Sequence, residues 1–219
     1  MLYFGRMRRL LFLALLLFFS CEKKVKMNPE KDVETPKVEN TTTSTANDSI
    51  DLLPWFQYYQ KENTDFTSAL FNLKQTSPIS FQNSSVTILN EKGFNEIYKP
   101  FLIFNKSKNK YLDFDSYQWF LQPDGSAGFE ADQQVVLVDY KKKEARQVAF
   151  FGPSYWIEDA YWKGDSVAVL LGNTYEKVPF MMKYNFNKNE VQHFEYPDTL
   201  KIEIPYSKVR LRKHGIKVE

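Results

Sequence analysis

The sequence predicts a mainly β domain, an antiparallel meander of hairpins. It would close as an open barrel, a sandwich or a partial propeller-like array, preceded by one or two short helices. Two observations carry this. Of 36 Phe, Tyr and Trp residues in the chain, five precede residue 50. The remaining 31 fall in the 170 residues from 50 to 219, and aromatic and β-branched enrichment favours strands. From residue 85 onward, short apolar runs alternate with polar turns rich in Lys, Asn and Gly, the pattern of successive hairpins.

The one clear helix is at residues 51–62, DLLPWFQYYQKE. Pro54 suits a first turn, where its missing N–H costs nothing, and Leu52, Leu53, Phe56 and Tyr59 recur at helical spacing. Residues 66–74 read as a second short helix, with Phe66, Leu70 and Leu73 on one face, or equally as a strand. Residues 86–89 are a short apolar run. Runs at 101–104 and 111–114 flank the polar segment 105–110. Residues 118–121 lead into Pro123-Asp124-Gly125, a turn signature. Runs at 135–140 and 146–151 flank a Lys-rich turn, 158–162 and 166–171 flank Lys163-Gly164-Asp165, and 180–186 and 191–196 flank residues 187–189. Strands are expected at 201–204 and 209–211, with His214-Gly215 turning the chain into 216–218. Residues 135–150 and 180–196 repeat strand, polar turn and strand at an offset of about 45, roughly the length of a propeller blade.

The first 49 residues are of another kind. Residues 6–21 read RMRRLLFLALLLFFSC, three arginines before an apolar block at 10–19, then Ser20 and Cys21, the only cysteine. The block is too short to span a bilayer, which takes about 20 residues, but fits the apolar region of a signal peptide. Met1 or Met7 can serve as the start. The stretch resembles a bacterial lipoprotein signal, in which the peptidase cuts just before a cysteine that carries the lipid. Phe18 and Phe19 depart from the usual Leu followed by a small residue. The resemblance implies a signal peptide at 1–20, a lipidated Cys21 and a bilayer as partner. It also implies three acyl chains, where one alone gives only marginal anchoring. Glu22 after the cysteine, rather than Asp, favours the outer membrane, at its periplasmic face or the cell surface.

Residues 22–49 form a linker. They contain six acids, five lysines, Asn, Thr and Ser, and no aromatic, Leu, Ile or Gly. Such a segment buries too little apolar surface to offset its ordering entropy, and 28 residues reach roughly 30 Å. A single globular domain, 50–219, follows.

Without the three signal arginines, 26 Lys and Arg face 27 Asp and Glu. That near-neutral balance excludes a non-specific nucleic-acid binder. With Cys21 lipidated, no thiol is left for a disulfide, metal or nucleophile. The two histidines, His193 in a strand and His214 in a basic turn, lack zinc-site spacing. No Gly-x-Ser-x-Gly, phosphate-binding loop or dinucleotide fingerprint occurs, so no cofactor is expected.

Three groups remain as candidates. Trp119, Trp156 and Trp162, with Tyr117, Tyr155 and Tyr161, belong to the core or offer flat faces to a sugar or peptide. Asp113 and Asp115 alternate along a strand, as solvated charges at its end or as paired carboxylates for acid–base chemistry. Lys208-Val-Arg-Leu-Arg-Lys213 alternates as a lysine-protected edge strand does. The expected function is a membrane-anchored envelope lipoprotein whose domain is a non-catalytic binding or assembly module, its partner an envelope protein or a glycan. The alternatives are a glycan-binding module using Trp119, Trp156, Trp162, Tyr117 and Tyr161, and a carboxylate-dependent hydrolase.

Overall fold

A computed structural model describes residues 50–84 and 86–219. Cys21, the signal segment and the linker lie outside the described residues. Two five-stranded antiparallel sheets carry the fold. The first has strands in the order β1 (Asn72–Pro78), β12 (Glu190–Glu195), β11 (Pro179–Asn185), β10 (Val167–Thr174) and β9 (Tyr155–Lys163). The second runs β2 (Gln82–Asn83), β8 (Glu144–Phe151), β7 (Gln133–Asp139), β4 (Lys110–Asp113) and β3 (Ile103–Phe104). A separate hairpin pairs β5 (Trp119–Leu121) with β6 (Ala127–Phe129). Two short helices complete it, α1 (Pro54–Gln60) and α2 (Tyr206–Lys213).

The layering follows from β10, whose apolar run Val167-Ala-Val-Leu-Leu171 is buried on both faces. Ala168 and Leu170 point into the core between the sheets, where they meet Leu112, Val135 and Phe180. Val169 and Leu171 point the other way, against Trp55, Phe56 and Tyr59 of α1. The outer face of the second sheet, through Tyr111, Val136 and Val138, is covered by Ile88, Leu89 and Leu102. The chain is therefore a sandwich of two sheets, each with a further layer on its outer face.

In α1, Pro54 stands in the first turn, and Trp55, Phe56 and Tyr59 are fully or almost fully buried. Phe56 stacks on Phe66 with centroids 5.1 Å apart. Burying one such ring is worth about 2–3 kcal/mol, so packing holds this seven-residue helix, far too short to be stable alone.

The expected hairpins form as β3–β4, β7–β8, β9–β10 and β11–β12. Each turn contains a left-handed residue: Lys108 (φ 52°), Lys143 (57°), Gly164 (68°) and Asn189 (52°). Residues 66–74 resolve into a 3₁₀ turn at Ser68–Leu70 and the start of β1. Residues 86–89 are not a strand; they cross the second sheet as coil. The strand expected at 201–204 is absent, and α2 (Tyr206–Lys213) stands in place of the one expected at 209–211. Lys208–Lys213 is thus helix, not edge strand. The two repeated hairpins lie in different sheets of the sandwich rather than as successive blades. Among the described residues no helix is long and apolar enough to cross a membrane.

Candidate functional site

The site begins with a register break. Along the β9–β10 ladder, Leu171 pairs with Asp159 but Gly172 pairs with Ile157, so Glu158 is an extra residue on β9. A bulge of this kind bends a strand and re-aims its side chains. Tyr155, Ile157, Ala160 and Trp162 all belong to the inter-sheet core. Glu158 and Asp159 fall in the break and are left out of it.

Glu158, 2% exposed, turns toward α1. Its Oε2 accepts from Trp55 Nε1 (2.8 Å), Tyr59 Oη (2.8 Å) and Asn173 Nδ2 (2.7 Å). Buried Gln133, from the facing sheet, braces the bulge. Its Nε2 donates to Ile157 O and Phe114 O, both at 3.1 Å, and its Oε1 accepts from Ile157 N at 2.7 Å.

The second half of the site comes from α2, which packs along the edge strand β9. Arg210 Nε donates to the Glu158 carbonyl (3.0 Å), satisfying an acceptor the bulge leaves open. Its two terminal nitrogens form a fork with Asp115, NH1 to Oδ2 at 2.9 Å and NH2 to Oδ1 at 2.7 Å. Trp119 Nε1 donates to Asp115 Oδ1 at 3.0 Å. The guanidinium lies over Phe114 (4.9 Å) and Phe101 (5.4 Å), a cation–π arrangement. Burial works against its charge, but the Asp115 ion pair and hydrogen bonds, with Asp159, outweigh that and hold its pKa above the ordinary arginine value.

Between these groups lies a cavity of about 460 Å³, within the range of small-molecule sites. The β5–β6 hairpin contributes Trp119 and Phe129, the bulge Trp156 and Glu158, and the end of β10 Asn173 and Thr174. Ile202, Pro205, Lys208 and Arg210 close the α2 side.

The structure divides the sequence-predicted aromatics. Trp119 and Trp156 line the same cavity, and Trp156 has Tyr175 beside it, centroids 6.2 Å apart. Trp162 lies elsewhere, its Nε1 bonded to Ile103 O (2.9 Å), which ties β9 to β3. Tyr161 packs on the α1 side, Tyr155 joins the inter-sheet core, and Tyr117 is exposed next to Phe150.

The carboxylates correct an expectation. Asp113 and Asp115 are not solvated strand-end charges; both are buried. Nor do they act as a pair. Asp113 accepts from the backbone of Asp115 and Ser116 and from Ser116 Oγ, holding the turn, while Asp115 is committed to Arg210. His193 is half-buried on β12, and His214 is exposed, edge-on to Phe101. Among the described residues, no group of three or more His, Cys, Asp or Glu is placed to hold a metal.

Glu158, Asp159, Asn173 and Arg210 escaped the sequence reading. Two acids inside the aromatic run Tyr155-Trp-Ile-Glu-Asp-Ala-Tyr-Trp162, and a glycine inside an apolar strand, are the signals that mark a bulge.

Burial pushes the carboxyls of Glu158, Asp159 and Asp113 up from their ordinary values, against the pull of their hydrogen bonds and, for Asp159, of Arg210. A carboxyl raised in the fold binds a proton that the unfolded chain has already released, so its contribution is full below the unfolded value and is lost as pH rises through the folded one. Stability is therefore expected to fall as pH rises above the ordinary carboxylate range. Each such group contributes a slope of at most about 1.4 kcal/mol per pH unit. Glu158→Gln, whose carbonyl can still accept the three donors, should flatten that slope in urea midpoints measured across pH. A variant slope equal to the parent's would count against a raised Glu158.

No protein-family model, curated protein or solved structure matches the chain.

Proposed function

We propose that the protein is a lipid-anchored lipoprotein of the cell envelope whose β domain is a non-catalytic binding module, taking a small, largely apolar ligand between the β5–β6 hairpin and α2. The observation that carries this is the cavity itself, about 460 Å³ and lined by aromatic side chains and buried polar groups. An apolar pocket with a few convergent polar groups is the usual form of a small-molecule site. The lipobox-like residues 17–21 support the anchor, and Glu22 favours the outer membrane.

The geometry favours binding over hydrolysis. Asp113 is spent on a turn and Asp115 on Arg210, which leaves neither available as a nucleophile or base. A flat glycan platform has less support, since Trp162, Tyr117 and Tyr161 lie away from Trp119 and Trp156.

Mass spectrometry of small molecules released from the full chain purified out of membranes tests the binding reading. One species should be retained by the parent and lost in Trp156→Ala. Equal retention, or none, would sink it. In the same preparations Cys21→Ser should leave the membrane fraction, and an unchanged distribution and mobility would remove the anchor.

A further inference from the structure

The hydrogen-bonding character of the cavity defines what it accepts. Asn173, 4% exposed, lines it, and its Oδ1 has no hydrogen-bond partner among the described residues. Its orientation is set by its neighbours. Trp55 Nε1 can only donate to Glu158 Oε2. Tyr59 Oη takes the Tyr206 N–H at 3.0 Å, so its own hydrogen goes to Glu158. The oxygen at the centre of these donors receives, Asn173 must present its NH₂ to it, and the carbonyl is the end left over.

Gln118, also in the lining, repeats this logic. Its Nε2 donates to the Glu130 carbonyl at 3.0 Å, which can only accept, and its Oε1 is also buried without a partner. Each cation of the lining already holds a protein acceptor. Arg210 uses all three nitrogens on Glu158 O and Asp115, Lys177 Nζ bonds Ile202 O, and Lys208 Nζ bonds Glu219 O. Two buried acceptors are thus open to a ligand, and a carboxylate, which has no hydrogen to offer, can pair with neither. An unpaired buried carbonyl is costly, and a ligand that supplies an N–H removes that cost.

We propose that the cavity selects ligands carrying an N–H donor head, a primary amine or primary amide, on an apolar aryl or alkyl body, and discriminates against carboxylates of the same shape. This rests on the binding reading above and adds the ligand's chemistry to it.

The test is equilibrium dialysis of three matched probes, 4-phenylbutylamine, 4-phenylbutanamide and 4-phenylbutanoate. They are dialysed against the full chain in lipid nanodiscs, with empty nanodiscs as the blank. The amine and amide should bind at least about tenfold more tightly than the carboxylate, the scale of one well-made polar contact. Gln118→Leu, at a half-exposed position, should weaken amine and amide about fivefold and leave the carboxylate within twofold. Gln118→Met, equally long and without the amide, should do the same. Equal or tighter binding of the carboxylate, or no effect of either variant, would overturn the donor rule while leaving a binding cavity in place. Failure of all three probes to bind, or binding untouched by Trp156→Leu, would overturn both readings.

Discussion

Gly172→Ala is expected to cost the domain at least about 4 kcal/mol, a large part of the 5–15 kcal/mol by which a domain is usually stable. A Cβ at this position would lie 2.1 Å from the carbonyl oxygen of Trp156 and 2.7 Å and 2.9 Å from two ring carbons of Phe180. Neither neighbour can give way. The carbonyl belongs to the backbone at the β9 bulge, and Phe180 is completely buried between the sheets. Overpacking a core normally costs about 1–3 kcal/mol, and here relief would require the bulge to reset. Resetting would restore the alternation of β9, in which Trp162 and Ala160 face the core, and would turn the Glu158 carboxyl in after them. Gly152→Ala is the control, because its Cβ would meet nothing closer than Asp132 Oδ1 at 3.9 Å. Urea midpoints with unchanged m values measure both. A Gly172→Ala midpoint close to that of Gly152→Ala would mean the strands do not approach as closely as described.

The hairpins were legible because their signals are local. Lys-, Asn- and Gly-rich turns separate apolar runs, and Val135–Asp139-type alternation puts one side chain in the inter-sheet core and the next against residues 86–102. What escaped was set by distant partners. The strand β1 reads NLKQTSP and is exposed along almost all its length, so no hydrophobic pattern announces it; it exists because β12 offers an edge more than a hundred residues away. In α2 the sequence Tyr206-Ser-Lys-Val-Arg-Leu-Arg-Lys213 alternates like a strand. Its inward helical stripe includes Arg210, and a charge in that stripe hides the 3.6-residue period. The inward partners of Arg210 are distant in sequence, Asp115 95 residues earlier and the Glu158 carbonyl 52 residues earlier. Glu158 is a like case, because a bulge breaks the alternation by which an acid in a strand is assigned to one face. The candidate site thus lies at the two places where the usual periodicities fail, which is where function and strain are expected to override local pattern.

Arg210→Met is expected to destabilise the domain by about 3–5 kcal/mol, the cost of stranding one partner of a buried ion pair. The pair is well enclosed, with side-chain exposures of 11% for Arg210 and 4% for Asp115. Removing the guanidinium leaves the Asp115 carboxylate with only Trp119 Nε1 and opens the Glu158 carbonyl at the bulge. Asp115→Leu should cost a similar amount, since it strands the guanidinium between two phenyl rings. The double variant should be less destabilised than the sum of the two by about 2–3 kcal/mol, because a buried pair replaced by apolar side chains carries no unpaired charge. Recovery stays incomplete, as Trp119 Nε1–H and Glu158 O are still without their partners. Urea midpoints of the four proteins close the cycle, and strict additivity would show that the fork contributes no coupling. The same pair joins the turn after β4 to α2, and both segments line the cavity. If the fork positions that wall, the double variant should regain much of its stability without regaining affinity for the amine and amide probes. Stability and binding would then separate at a contact that no ligand needs to touch.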